Sequence, residues 1–215
     1  MRRALTLIEL ILSMVIIGIV FTVIPRLIIS MNQSTQTTIK EEALYNAMAH
    51  IGMIINLPWD NTNTQNSQIL RVTSGNSAYE CNTTSGYRKG GFIGGRNCIE
   101  PAGNTYSATA IGQEDTEYND LDDYATTTFT ADKNCSGGIV KGLFTIQTAV
   151  SYVDDPSAAG DAILSTNPAA GTSNTKYVQV QVGYGPDSQH TGCIGALEYH
   201  SFNLGNIQIN SREWN

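Results

Sequence analysis

Glu9 is the residue with the most to explain. From Leu5 to Ile24 it is the only ionisable side chain in twenty residues that are otherwise apolar, hydroxyl-bearing or glycine. On insertion scales an acidic residue at the centre of a lipid-facing helix costs roughly 2.5–3.5 kcal/mol, and less toward either end. An intramembrane carboxylate calls for a partner, and the run holds no Lys, Arg or His. A cut after Ala4 would create one. Leu5 would then carry a free α-amine, positive at neutral pH, and staggered identical helices would set one subunit's Glu9 against the next subunit's amine. The chemistry this spacing offers is charge pairing between copies.

Three other groups of residues have chemical potential. The run EDTEYNDLDDY carries Glu114, Asp115, Glu117, Asp120, Asp122 and Asp123. Such an oxygen set suits Ca2+, which takes six to eight oxygen ligands, with Asp120, Asp122 and Asp123 as the candidates. It departs from the EF-hand pattern, with neither a mid-loop glycine nor a closing glutamate, and reads more readily as a solvated acidic loop. Cys81, Cys98, Cys135 and Cys193 are separated by 16, 36 and 57 residues, without a C-x-x-C pair. Outside the cytoplasm that favours two disulfides over a metal, with Cys81–Cys98 and Cys135–Cys193 the preferred pairing of three. GYRKGGFIGGRN (86–97) is glycine-rich and basic, but no Gly-Lys-Ser/Thr closes it as a phosphate loop. Tyr87, Phe92 and its three cations could stack on single-stranded nucleic acid. A turn-rich loop inside a disulfide is the simpler reading. His50, His190 and His200 are scattered and fit no hydrolase or metalloprotease pattern.

The elements that position these groups follow from hydropathy. Twenty residues at about 1.5 Å each span about 30 Å as a helix, the thickness of a bilayer's hydrocarbon core. Arg2 and Arg3 before the run place its start on the cytoplasmic side and the remainder of the chain outside. The run lacks the small-x-small site of a secretory signal, so it reads as an anchor. The formal charge of −7 argues against general nucleic-acid binding. The low charged fraction of 14% and the Thr/Asn/Gly bias suit an extracytoplasmic β-rich domain.

Ala4-Leu5-Thr6-Leu7-Ile8-Glu9-Leu10, then an apolar run with Gly18 and Pro25, resembles the processing and assembly segment of type IV pilins and type II secretion pseudopilins. The resemblance covers about the first 25 residues. Ala4 stands where that family usually has Gly, Leu5 where it usually has Phe, and Pro25 falls one residue earlier than in the common major pilins. The resemblance implies cleavage by a prepilin peptidase after Ala4, N-methylation of Leu5 and a subunit-pairing role for Glu9. It implies an inner-membrane assembly platform and other pilin or pseudopilin subunits as partners, and a bacterial inner-membrane location before assembly. LPWD (57–60), NDLDDY (119–124) and YHSFNLG (199–205) are similar, more weakly, to minor pilins of the mannose-sensitive haemagglutinin type. A chain of this kind is structural rather than enzymatic. A monomeric membrane-anchored binding domain is the reading from another class.

The expected organisation is a leader (1–4), a membrane half-helix (5–25), an amphipathic stalk helix (26–57) and a β-rich head (58–215). In the stalk Leu44, Met48, Ile51 and Ile55 recur at helical spacing beside Ala47 and Ile54. Lys40, Glu41, Glu42 and His50 largely avoid that stripe, and Pro58 closes the helix. A kink or local unwinding is expected near Gly18–Pro25. In KYVQVQVGYG, Val178, Val180, Val182 and Tyr184 alternate with polar or small residues; in LFTIQTAVSYV, Phe144, Ile146, Thr148, Val150 and Tyr152 share one face. These two strands are expected to pair antiparallel. ILRVT (69–73), TTTFT (126–130) and LEYHSFNL (197–204) are further strand candidates. The expected fold is α+β, a long N-terminal helix packed on an antiparallel sheet.

Overall fold

A computed structural model describes residues 6–62, 69–77, 107–125, 135, 139–156, 164–188 and 190–203. The chain divides into two units, Met1–Glu42 and Ala43–Asn215. The helix α1, Leu7–Ile55, contributes to both.

In the first unit α1 is long and apolar enough to cross a membrane, and none of its apolar stretch is buried within the protein. Most of its hydroxyls bond locally. Ser13 donates to Leu10 O, Thr22 to Ile19 O, and Thr35, Thr37 and Thr38 each donate to the carbonyl four residues back. Such back-bonding lets polar side chains occupy an apolar helix without unmet donors. The helix continues through Gly18 and Pro25, so the local unwinding expected there is not found. Proline removes one N–H, and the bonds on either side still hold the turn.

In the second unit Ala43, Ala47, Ile51 and Ile54 of α1 are buried against a sheet. Leu44 is half-buried, while Met48 and Ile55 are 53% and 40% exposed. The buried stripe is therefore turned by about one residue from the expected one. Two alanines lead it, and their small side chains let the helix backbone approach a sheet face already filled by valines. His50 belongs to this face too. Its Nε2 lies 2.9 Å from Thr148 Oγ1, and its ring meets Tyr124 edge-on at 5.8 Å.

The sheet has four antiparallel strands in sequential order: β1 Ile139–Lys141, β2 Phe144–Val153, β3 Thr175–Tyr184 and β4 Cys193–Phe202. Gly142, at φ +69°, opens the two-residue turn from β1 to β2, where a positive φ is needed. β2 and β3 pair from Phe144↔Tyr184 to Val153↔Thr175, as the sequence predicts. Val178, Val180 and Val182 are all 0% exposed and pack with Phe144, Ile146, Val150 and the α1 stripe. Their neighbours Gln179 and Gln181 stay half-buried, so the period-two pattern of β3 marks a true inside and outside.

β2 shows little such alternation, because both of its faces are covered. On the second face Thr145 donates to Cys135 O, and Gly183 is cradled so closely that an added Cβ would lie 2.5 Å from that carbonyl. Cys135 is held there by a disulfide to Cys193, with Cα atoms 5.2 Å apart. This is one of the two expected bridges. Cys81, Cys98, TTTFT and GYRKGGFIGGRN lie outside the described residues.

ILRVT forms an isolated bridge, Arg71↔Ser107, rather than a strand. Side chains and loops replace its ladder. Leu70 N–H donates to Asn203 Oδ1, Asn203 Nδ2 donates back to Leu70 O, and Thr73 and Ser74 donate to Thr172 O.

Because the stripe is turned, Ile54 and Met48 should respond differently to truncation. Ile54→Ala is expected to lower the unfolding free energy by about 2–5 kcal/mol. Met48→Ala should change it by no more than ~1 kcal/mol. Denaturant unfolding of the full chain in detergent checks this, and equal losses would restore the expected stripe.

Candidate functional site

Glu9 lies in the first turn of α1. Its Oε2 accepts from Thr6 N–H at 3.3 Å and Thr6 Oγ1 at 3.4 Å. Thr6-Leu7-Ile8-Glu9 has the Ser/Thr-x-x-Glu spacing of a capping box, whose glutamate satisfies an otherwise orphaned N–H. Glu9 therefore has a local role beside the charge role expected of it, and the Thr-x-x-Glu spacing is its sign in the sequence. Both contacts are long and exposed, so the carboxylate remains open to a further partner. Ala4 and Leu5 lie outside the described residues.

The second constellation is built around Lys176 on β3. Its side chain is 0% exposed. Nζ donates to Trp59 O at 2.7 Å and to Asp122 Oδ1, and lies 3.6 Å from Asp60 Oδ2. The ammonium is 4.4 Å from the Trp59 ring centre and 5.3 Å from that of Tyr152, close enough for cation–π attraction.

Each carboxylate has further donors. Asp60 accepts from Thr62 N–H, Thr109 N–H and Thr109 Oγ1, while Asp122 Oδ2 accepts from Gly112 N–H. Tyr152 OH donates to Thr109 O at 2.7 Å. Burial, with Asp122 and Asp60 nearby, pushes its phenol far up, so it stays neutral.

Asp120, Asp122 and Asp123 flank or form the short 3₁₀ turn Asp122–Tyr124. Asp120 Oδ1 accepts from the N–H groups of Asp122 and Asp123, and Asp123 Oδ2 accepts from those of Asn119 and Asp120. The turn is thus tied by two reciprocal side-chain caps. All three aspartates are buried, at 0%, 0% and 6% exposure, so the reading of a solvated acidic loop holds for the exposed Glu114, Asp115 and Glu117 and fails for Asp120, Asp122 and Asp123. The local caps and Lys176 draw them inward. One carboxylate oxygen each of Glu114, Asp120 and Asp122 lies within 4.8 Å of the others. Asp123 falls outside this set, and Glu114 takes the place expected for it.

Burial raises the carboxyl groups here. Asp120 is pushed up to about 7, first by burial and then by Asp122, with Lys176 opposing. Burial also raises Asp122, against the pull of Lys176, and Glu114, which keeps part of its solvent.

Three short segments that were separate in sequence meet here. Leu121 N–H donates to Pro58 O, tying NDLDDY to LPWD. Trp59 Nε1 donates to Ser201 O and Asn203 is fully buried, which brings in YHSFNLG. Lys176 went unmarked in the sequence because a lysine at the start of a strand is ordinarily exposed.

Removing the ammonium would strand buried carboxylates. Lys176→Met is expected to lower stability by about 3–5 kcal/mol, and adding Asp122→Asn should recover part of it. Denaturant titration of both variants checks this. A neutral single variant would show that the pair contributes nothing net.

No curated protein and no solved structure matches this chain. Residues 1–25 match the family model of the prokaryotic N-terminal methylation motif, so the chain carries the signal of type IV pilins and pseudopilins.

Proposed function

We propose that the protein is a minor structural subunit of a type IV pilus-like filament. The observation that carries this reading is the methylation motif, set directly on an apolar helix with one exposed carboxylate. The mechanism is assembly. A prepilin peptidase cuts after Ala4 and Leu5 is methylated. The apolar helix holds the subunit in the inner membrane, with the head outside. At the assembly platform its helix joins those of other pilin subunits. Glu9 then meets a neighbour's α-amine, so that two charges costly in lipid cancel only in the polymer.

The motif serves pseudopilins of type II secretion equally. A deletion strain separates the two. Loss of surface filaments with normal enzyme export supports the pilus, and the reverse supports the secretion apparatus.

Processing is tested on the native N-terminus. Mass spectrometry should find N-methylated Leu5, and a chain still starting at Met1 or Arg2 would sink the proposal.

Glu9→Gln isolates the charge, because glutamine at this position of a capping box still accepts the backbone N–H. The variant should insert into the membrane normally and fail to enter filaments. Normal incorporation, read by immunoblot of sheared filaments, would remove charge pairing as the assembly signal.

A further inference from the structure

We infer that Glu114, Asp120 and Asp122 form a binding site for one divalent cation of the oxygen-preferring class, with Ca2+ as the ion it suits best. One oxygen of each converges within 4.8 Å of the others. Three protein carboxylates on one ion favour Ca2+, because Mg2+ usually keeps several of its waters and takes only one or two carboxylates.

A cluster of acids alone would not carry this inference, since acids often cluster in water. Here two of the three carboxylates are out of water, and one oxygen of Asp120 is unused. Asp120 is 0% exposed and contributes to the converging set. Its Oδ1 is taken by two backbone N–H groups of the 3₁₀ turn, and its Oδ2 has no hydrogen-bond partner among the described residues. Buried acceptors without donors are rare in folded proteins, because each forfeits its hydration. A cation answers that need.

The charge balance points the same way. Lys176 is engaged by Asp122 Oδ1 and Trp59 O and lies 3.6 Å from Asp60. One ammonium cannot neutralise Asp60, Asp122, Asp120 and Glu114 together. Lys176 and Asp122 are fully buried, and Glu114 is exposed. The ion would therefore enter from the Glu114 side, with Asp122 shared between an inner ammonium and an outer metal.

The test uses the full chain in detergent, stripped with EDTA and titrated with CaCl2 alone, then with MgCl2 alone. Calorimetry should show one Ca2+ per chain, and Ca2+ should raise the thermal midpoint more than Mg2+ does. Glu114→Gln, at an exposed position that leaves the fold intact, should weaken Ca2+ binding about tenfold or more. Asp120→Asn should abolish it, and Glu117→Gln, outside the converging set, should bind like the unaltered chain. Absence of heat and of a midpoint shift up to about 10 mM CaCl2, beyond the range of extracellular sites, would overturn the site. So would undiminished binding by Glu114→Gln. Both readouts stand even if Asp120→Asn fails to fold.

Discussion

A single buried ammonium organises the head. Lys176, the second residue of β3, points into the protein, and the groups near it are arranged to make that tolerable. A carbonyl from the segment after α1, two carboxylates and two aromatic faces receive it. Burying a charge is costly unless it is paired and hydrogen-bonded, so these groups cannot drift independently. The end of the helix, the acidic turn and the first long-strand pairing are therefore held in one fixed relation. The helix contributes shape through its alanines and Ile54, and the lysine contributes direction.

Much of this was legible in the sequence. The strict alternation of Val178, Val180 and Val182 identified β3 because only one face of that strand is fully dry. Its pairing with β2 followed, as did the Cys135–Cys193 bridge. The helix stripe was found but turned by about one residue, since periodicity weighs Leu44 and Met48 above alanine, whereas a close-packed helix buries its smallest residues first. The acidic run is solvated only in its first half, because charge counts show likeness to water and not the partner that draws Asp120, Asp122 and Asp123 inward. That partner lies some fifty residues away, in phase with Val178, Val180 and Val182 on the inward face of β3, and this period-two position is the one sign of it in the sequence. LPWD, NDLDDY and YHSFNLG stand apart in the sequence, linked there only by their similarity to minor pilins, and they come together around the Lys176 pocket once the chain is folded.

The N-terminal segment follows a different logic. Its information is almost entirely local, because the motif lies in 25 contiguous residues and needs no tertiary contact to be recognised. The same locality holds the cap. Beside its cost in lipid, Glu9 shares an ordinary helix-starting geometry with Thr6. One carboxylate carries a local structural task and remains exposed for a second.

The Cys135–Cys193 bridge has a mechanical consequence. The strands β1, β2 and β3 all lie in the loop it closes, and β4 begins at its second sulfur. Tension travelling along the backbone crosses from Cys135 to Cys193 through the covalent link and bypasses those three strands. A pull from both sides of the bridge therefore acts on α1, the chain between α1 and Cys135, and β4, while the backbone of β1, β2 and β3 carries none of it.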